Sequence, residues 1–559
     1  MSTFSPGGYV EPGAYVQIKN AALPNIQPGA RVGAITGTGK VTKDILREAV
    51  TVTRTSNVTP FIGTLSVVPI VDLLADSNGA YTVTDSAGKV FYKADDFTYV
   101  TSTGVITWAA SPVNGQPEGA DSTITGSQSV TIYVNYTVDK TTTDYSAKFC
   151  GSLQDVIDLY GEADPNQDGV VEYTLPLGAQ IFFENGGSQL YCVQTVPITK
   201  DSVTFASSNI VNRSSHGLVL NNRIMFTGTV PVELSTATVY YAVSIAASTF
   251  QIALTASGTP VTFSTGSGPC SFVTQDNDIL AAHEAAIPKF NTVTPYCIVP
   301  LFAADASTNT ALISTLKSDV TNMSTTVERK NRIGLLGGFS TTDDSTDLEG
   351  SVTKHINAIK ACDYFRLGYI VPANATKALT YGEVTLSGPY LAVAVAGIIC
   401  NPSYTAGEPI SGKSLTGFDS IADIYTRYQK NRMASYGGMI VENKSGNYVI
   451  RHALSTDVSD IISAELKITR IEDSVSQTVS SSLESMFINT RNTGAQTISD
   501  ITSATKLLLD SIVSIQDIVS YQNLSVVQSS IDPRQINVSF QIQPAWDCTF
   551  ILITFGVTI

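Results

Sequence analysis

Chemistry at neutral pH would fall first to the four histidines of this 559-residue chain, His216, His283, His355 and His452, and to its seven cysteines. His283-Glu284-Ala285-Ala286-Ile287 opens like a zinc-binding HExxH helix, but the second ligand, due one turn later, is Ile287. No zinc site forms from it, and it reads as a polar pair on a helix surface. The stretch from Gly33 to Lys40 (GAITGTGK) imitates a phosphate loop, yet that pattern needs glycine at 34 and a metal-binding hydroxyl at 41, where Ala34 and Val41 stand. A glycine-rich turn after a strand accounts for it. Asp164-Pro165-Asn166-Gln167-Asp168-Gly169 has the spacing of the first half of a calcium loop, but the bidentate glutamate expected at 175 is Leu175. An Asx-rich loop is the favoured reading, with a calcium-binding turn as its alternative. Gly412-Lys413-Ser414-Leu415-Thr416 lacks the closing glycine of a nucleophile elbow. A serine, a histidine and an acid could still converge in space. The cysteines lie at 150, 192, 270, 297, 362, 400 and 548, with no CxxC spacing, so free thiols are expected in a reducing cytoplasm. No catalytic, cofactor-binding or metal residue is assigned, and no cofactor is expected.

Composition narrows the classes further. Lys and Arg number 33 against 48 Asp and Glu, a net charge of −15, so a nucleic-acid binder held by phosphate contacts is disfavoured, as is docking on anionic lipid. Only 14% of residues are charged while 43% are hydrophobic, enough for large cores. The longest apolar runs, 390–400 and 550–554, fall short of the ~18–20 residues that cross a bilayer. The N-terminal MSTFSPGGYVEPG has no basic region followed by an apolar stretch, so no secretory signal is expected. The densest basic patch, Arg329-Lys330-Asn331-Arg332, reads as a solvated loop or as a contact with an acidic neighbour.

The elements that would position any site change character along the chain. Residues 1–30 are rich in Pro and Gly, and Ala14, Val16 and Ile18 alternate there with Tyr15 and Gln17. Such a segment is a frayed tail or an arm that adds a strand to another sheet. Residues 31–47, 141–200 and 276–425 alternate helix and strand, which predicts an α/β core with a largely parallel sheet covered on both faces. Within it Ser152 reads as the cap of a helix that Gly161 stops. Residues 48–140 read as an inserted all-β, barrel-like domain, with strand-like runs such as 64–68 and 130–136 between turn clusters. Residues 201–275 read as a second inserted β-module. Residues 426–544 form a C-terminal α+β domain: Lys444-Ser445-Gly446-Asn447 turns a hairpin, Val475, Val479, Leu483 and Met486 mark one helix face, and Leu508, Ile512, Ile515 and Val519 another. In residues 545–559, Ile551, Ile553, Phe555, Val557 and Ile559 share one face of a final strand. An unpaired apolar strand is an aggregation hazard, so it pairs either within its own chain or with a neighbouring subunit's sheet.

Several stretches together resemble the contractile phage tail sheath family. Residues 149–161 (FCGSLQDVIDLYG) and 179–193 (AQIFFENGGSQLYCV) are similar to its hallmark region, and the PGAYVQI arm at 12–18 to its N-terminal extension. Residues 296–301 (YCIVPL), 391–403, 413–418, 468–473 (ITRIED) and the terminal strands 536–559 follow in the family's order. The resemblance implies a non-catalytic core of subtilisin-like topology and subunits stacked as rings or a helical sheath around an inner tail tube. It implies that both termini add strands to neighbours: Ala14, Tyr15, Val16 and Ile18 from one end, and Ile551, Ile553, Phe555, Val557 and Ile559 from the other. The hairpin residues Met439, Val441, Val449 and Arg451 are the expected acceptor. The C-terminal domain would face the tube, and the inserted β-domains would point outward. Baseplate and tail terminator proteins are the further expected partners, without nucleic acid or membrane insertion. The place of action would be the virion tail after assembly in the host bacterial cytoplasm. Residues 425–559 hold 10 basic and 12 acidic residues, whereas residues 1–424 hold 23 and 36, so the acidity falls on the parts expected to lie outside. Two other classes stay open, a static phage structural or receptor-binding protein and a hydrolase on the same α/β scaffold.

Overall fold

A computed structural model describes residues 31–75, 80–109, 111–140, 143–206, 209–214, 216–265, 269–276, 278–303, 310–325, 327–339 and 344–547. The chain divides into two units, one of residues 1–39 and 147–559, the other Lys40–Ser146.

The first unit is built on an eight-stranded sheet. Its strands are β1 (Gly33–Gly37), β2 (Lys148–Cys150), β3 (Leu190–Gln194), β4 (Cys297–Pro300), β5 (Ile333–Gly337), β6 (Leu367–Val371), β7 (Gly438–Lys444) and β8 (Asn447–Ile450), in the order β2-β3-β1-β4-β5-β6-β7-β8. All neighbours from β3 to β7 run parallel, and the two edge strands are antiparallel. Every residue of β1, β4, β5 and β6 is buried, which is why these strands read as continuous apolar runs rather than alternating ones. Helices α1 (Leu153–Tyr160), α2 (Thr174–Glu184) and α6 (Gly388–Ile399) fill one face; α3 (Leu280–Ala286), α4 (Thr310–Met323), α5 (Leu348–Cys362) and α7 (Arg427–Ala434) fill the other. The all-apolar helix α6 is buried along its whole length, as a helix without a polar face must be. Its N-terminus meets the end of β5 so closely that a Cβ on Gly337 would stand 2.0 Å from the Gly388 carbonyl carbon. Ser152 caps α1 by accepting from the Asp155 amide at 3.2 Å, and Gly161, at φ 85°, ends it.

Between β3 and α3 the chain makes a seven-stranded antiparallel sheet with its own aromatic core, including Phe226, Phe250 and Phe272. A hairpin of Asn374–Leu379 and Gly382–Ser387, for which the sequence gives no clear strand signal, forms a small third sheet with Ser420–Ile421. After β8 come α8 (Ile461–Ala464), α9 (Leu466–Phe487), α10 (Ala495–Ser514) and a two-stranded ribbon of β9 (Ile518–Gln528) and β10 (Ile536–Pro544).

The second unit, Lys40–Ser146, is an eight-stranded antiparallel structure around Trp108, Phe61, Phe91, Phe97 and Tyr136. Its spine is the pair Thr42–Arg54 and Gln128–Asp139. The start expected at residue 48 falls inside the first of these strands. Residues 42–48 are largely exposed and bear charges, so they lack the apolar alternation that marks the rest. The run at 64–68 also differs: the strand is Ile62–Thr64.

Candidate subunit-joining surface

Among the described residues no hydroxyl, thiol or carboxylate pair stands out as a catalytic centre, and the four histidines show why. His283 Nδ1 lies 2.7 Å from Thr36 Oγ1 and its Nε2 3.0 Å from Asp278 Oδ1, a hydroxyl–imidazole–carboxylate line not anticipated from the sequence. Thr36 sits fully buried in the middle of β1, so this line ties α3 to the sheet and offers no nucleophile to a substrate. His216 bridges the Leu218 amide and the Ala246 carbonyl, and His452 pairs with Glu465 at 2.7 Å. His355 is enclosed by Phe339, Tyr369 and Tyr425, and burial pushes its pKa down to about 4. The Asp164 carboxylate accepts the amides of Asp168 and Gly169 at 3.1 and 2.8 Å, an Asx turn. Arg332, expected in a solvated or neighbour-contacting patch, is fully buried and paired with Asp319 at 2.7 Å. Among the described residues no cluster of His, Cys, Asp and Glu is placed to hold a metal, and no helix is long and apolar enough to cross a membrane.

The chain's unusual surface lies instead at the ribbon. On one face Tyr521, Val526, Ile536, Val538, Phe540 and Ile542 pack on Ile471, Val475 and Val479 of α9 and on Leu509 and Ile512 of α10. The other face mixes amides and hydroxyls with the exposed Val519 and Val527; Asn523 donates to Gln541 at 2.6 Å and Ser520 to Gln543 at 3.0 Å. Neither strand contains a charged residue. Among the described residues no further strand pairs with either outer edge. Natural sheets protect such edges with charges, prolines or a covering segment; here only the terminal Pro544 is of that kind.

A buried polar clamp fixes this surface to the core. Asp473 of α9 accepts two hydrogen bonds from Arg366, at 2.7 and 2.9 Å, one from Tyr296 at 3.0 Å and one from Asn331. Those three donors precede β6, β4 and β5, so one carboxylate ties α9 to the entry ends of three core strands. Burial alone would lower the Arg366 pKa, but the Asp473 carboxylate outweighs it and holds the guanidinium charged. One turn earlier Arg470 donates to the carbonyls of Thr405 and Glu408 at 3.0 and 3.1 Å. Its hydrogen-bond acceptors are neutral, and burial, helped by the Arg31 charge and only partly offset by Tyr296 and Asp517, brings its pKa down to about 10. The Asp517 carboxylate, just before β9, accepts the Gly407 amide at 2.6 Å. Arg31, where the N-terminal segment joins the core, donates to the Tyr404 carbonyl of the same loop. At the other end of the chain Asp547 is ion-paired with Lys467 of α9, both largely buried. Arg31, Tyr404, Thr405, Ser474, Ile515 and Asp517 line a cleft of about 480 Å³ where these connections meet.

The expected site residues divide among three outcomes. Ala14, Tyr15, Val16 and Ile18, and likewise Ile551, Ile553, Phe555, Val557 and Ile559, lie outside the described residues. Met439, Val441 and Val449 belong to the hairpin β7–β8, but their side chains are buried in the core and the hairpin offers no open edge along Tyr448–Ile450. The chain's own residues 412–415 occupy that edge: Gly412 and Leu415 donate to the carbonyls of Ile450 and Tyr448 at 2.7 and 2.8 Å, and Ile450 donates to Lys413 at 3.0 Å. Arg451 lies just past β8, with its amide bonded to Ile440 and its guanidinium to Asn431. The ribbon strand β9 was missed, because Val519 read as part of a helix face; α10 ends at Ser514 and Val519 is exposed on β9.

Among known proteins the class this chain is similar to is the tail sheath protein. Over 176 residues it is 27% identical to the tail sheath protein of Mycobacterium phage Bxz1, a match that covers 31% of this chain and 30% of that relative's length. The sheath tail protein of Desulfitobacterium hafniense superposes with a TM-score of 0.44 at 12% identity, covering 71% of this chain and 89% of that one. The contracted helical sheath of the anti-feeding prophage gives 0.45 at 12% identity over 75% and 90%. No protein-family model matches the sequence.

Proposed function

We propose that this chain is the non-enzymatic structural subunit of a contractile bacteriophage tail sheath. The observation that carries the reading is the ribbon: an uncharged two-stranded sheet, clamped to the core through α9, with no strand on either outer edge among the described residues. A free edge supplies unpaired N–H and C=O groups, and an extended segment from another molecule satisfies them by strand addition. The terminal segments at 14–18 and 551–559 have the alternation such a partner needs, and the sequence likeness to a phage tail sheath protein supports the assignment. The acceptor is the ribbon rather than the hairpin at Met439–Arg451, whose edge is closed from within.

In this reading subunits polymerise into a helical sheath around an inner tail tube, bounded by baseplate and terminator proteins, in a virion assembled in the host bacterial cytoplasm. Contraction would draw on extra burial between subunits. At ~25 cal/mol per Å² of apolar surface, ~200 Å² more per subunit gives about 5 kcal/mol, repeated over many copies. The excess of acidic residues in residues 1–424 would keep the exterior of the polymer soluble. The test is electron microscopy of the purified chain. Helical tubes are expected, and monomers or fixed small rings would point to a static structural protein instead.

A further inference from the structure

The six described cysteines are all buried free thiols, but four of them stand in pairs. Cys150 of β2 and Cys192 of β3 are hydrogen-bonded thiol to thiol. So are Cys297, which opens β4, and Cys400, which follows the last residue of α6. Such a bond sets two sulfurs in contact, and a pair so placed needs only the loss of two hydrogens to become a disulfide.

What separates the two pairs is access. Cys400 is fully buried, yet it lies in the wall of the cleft of about 480 Å³ that Arg31, Tyr404, Thr405 and Asp517 also line. Neither Cys150 nor Cys192 lines that cleft. A small uncharged oxidant in the cleft therefore reaches Cys400 by a local shift of the wall, whereas it reaches Cys150 or Cys192 only by an opening of the sheet. Charge acts in the same direction. Arg470 donates to the carbonyls of Thr405 and Glu408 in the loop that follows Cys400, and its guanidinium is stabilised by negative charge on the Cys400 sulfur. Charge that develops on this sulfur as it attacks an oxidant meets a buried cation. Cys297 is placed otherwise: burial, reinforced by the Cys400 thiol beside it, pushes its own thiol up, so it keeps its proton.

We infer that Cys400 and Cys297 form a disulfide site oxidised by hydrogen peroxide, with Cys400 as the attacking sulfur and Cys297 as its resolving partner. In the first step the Cys400 sulfur attacks one peroxide oxygen; the S–O bond forms as the O–O bond breaks, and the second oxygen leaves as water with the thiol's proton. In the next, the Cys297 sulfur attacks Cys400; the S–S bond forms as the S–O bond breaks, and the hydroxyl leaves as a second water with the Cys297 proton. The two sulfurs lose two electrons and the peroxide gains them. A dithiol reverses the change by exchange. The bridge ties the start of β4 to the end of α6, at the root of the loop where Arg31, Arg470 and Asp517 are anchored. Nothing in this inference depends on the sheath reading.

The test uses the full unmodified chain, exposed to graded hydrogen peroxide, alkylated in denaturant, digested without reductant and mapped by mass spectrometry. The expected result is a peptide linked through Cys297 and Cys400 that forms at lower peroxide than one linked through Cys150 and Cys192, and that is lost after treatment with dithiothreitol. In Cys297→Ser, dimedone should label Cys400, since its sulfenic acid has lost the resolving thiol; if that variant does not fold, the map of the unmodified chain decides alone. A Cys150–Cys192 bridge that forms first, or a bridge from Cys400 to any other cysteine, overturns the inference. So do Cys297 and Cys400 that are both still alkylated once the half-exposed Met486 has become the sulfoxide.

Discussion

The main sheet and the ribbon solve the problem of a strand edge in opposite ways. The main sheet buries both faces and closes its ends: β2 is only three residues long, and β8 is covered by residues 412–415. The ribbon buries one face, carries no charge and, among the described residues, has no strand on either outer edge. The difference also separates two kinds of stability, since the main sheet is held from both faces while the ribbon leans on α9 and α10 by one face alone.

Breaking that contrast at its strongest point should have the largest effect. Removal of residues 545–559 is expected to leave a folded monomer with an unchanged core and no polymer, read by sedimentation and electron microscopy. Normal tubes from the truncated chain would refute the role of the C-terminal strand. Next in size, Asp473→Ala strands the buried Arg366 guanidinium and should cost about 3–5 kcal/mol in denaturant unfolding. The loss should appear as early exchange of α9 and the ribbon, ahead of the main sheet.

The pH dependence sharpens the contrast further. Burial, reinforced by Asp473, raises the Glu472 pKa to about 7, so the folded state keeps a proton that the unfolded state has released. Stability contributed there falls as pH rises from about 4.5 to 7, by roughly 1–3 kcal/mol. His355 acts in the other direction: its folded pKa of about 4 lies below the unfolded value, so protonation of the unfolded chain lowers stability as pH falls from about 6.5 toward 4. Glu472→Gln should therefore remove the Glu472 contribution, so that stability falls less between about pH 4.5 and 7 than in the unmodified chain. An unaltered profile in that variant would show that Glu472 does not titrate in this range.

The smaller effects separate the two sheets. Gln541→Lys, on the exposed face of β10, should change monomer stability by no more than about 0.5 kcal/mol yet weaken assembly, measured as a higher critical concentration for tubes. Ser152→Ala should cost about 1 kcal/mol by loss of the α1 cap and leave assembly intact.

What could be read in advance follows from how local each signal is. The cap at Ser152 and the stop at Gly161 depend on residues within one segment, and both stand at their expected places. The hairpin at Lys444-Ser445-Gly446-Asn447 was equally legible, but its closed edge was not, because the covering residues 412–415 lie some thirty positions earlier in the chain. Strand β9 was hidden by its two bulges, which destroy the alternation that makes β10 plain. The Asp473 clamp was invisible for a similar reason: Tyr296, Asn331, Arg366 and Asp473 come from four separate segments, and a buried carboxylate looks like any surface acid until its donors are in place.

The ion pair between Asp547 and Lys467 has a mechanical corollary. It holds the last described residue against α9, so a pull on the segment beyond is passed to α9 and, through Asp473, to the entry ends of β4, β5 and β6.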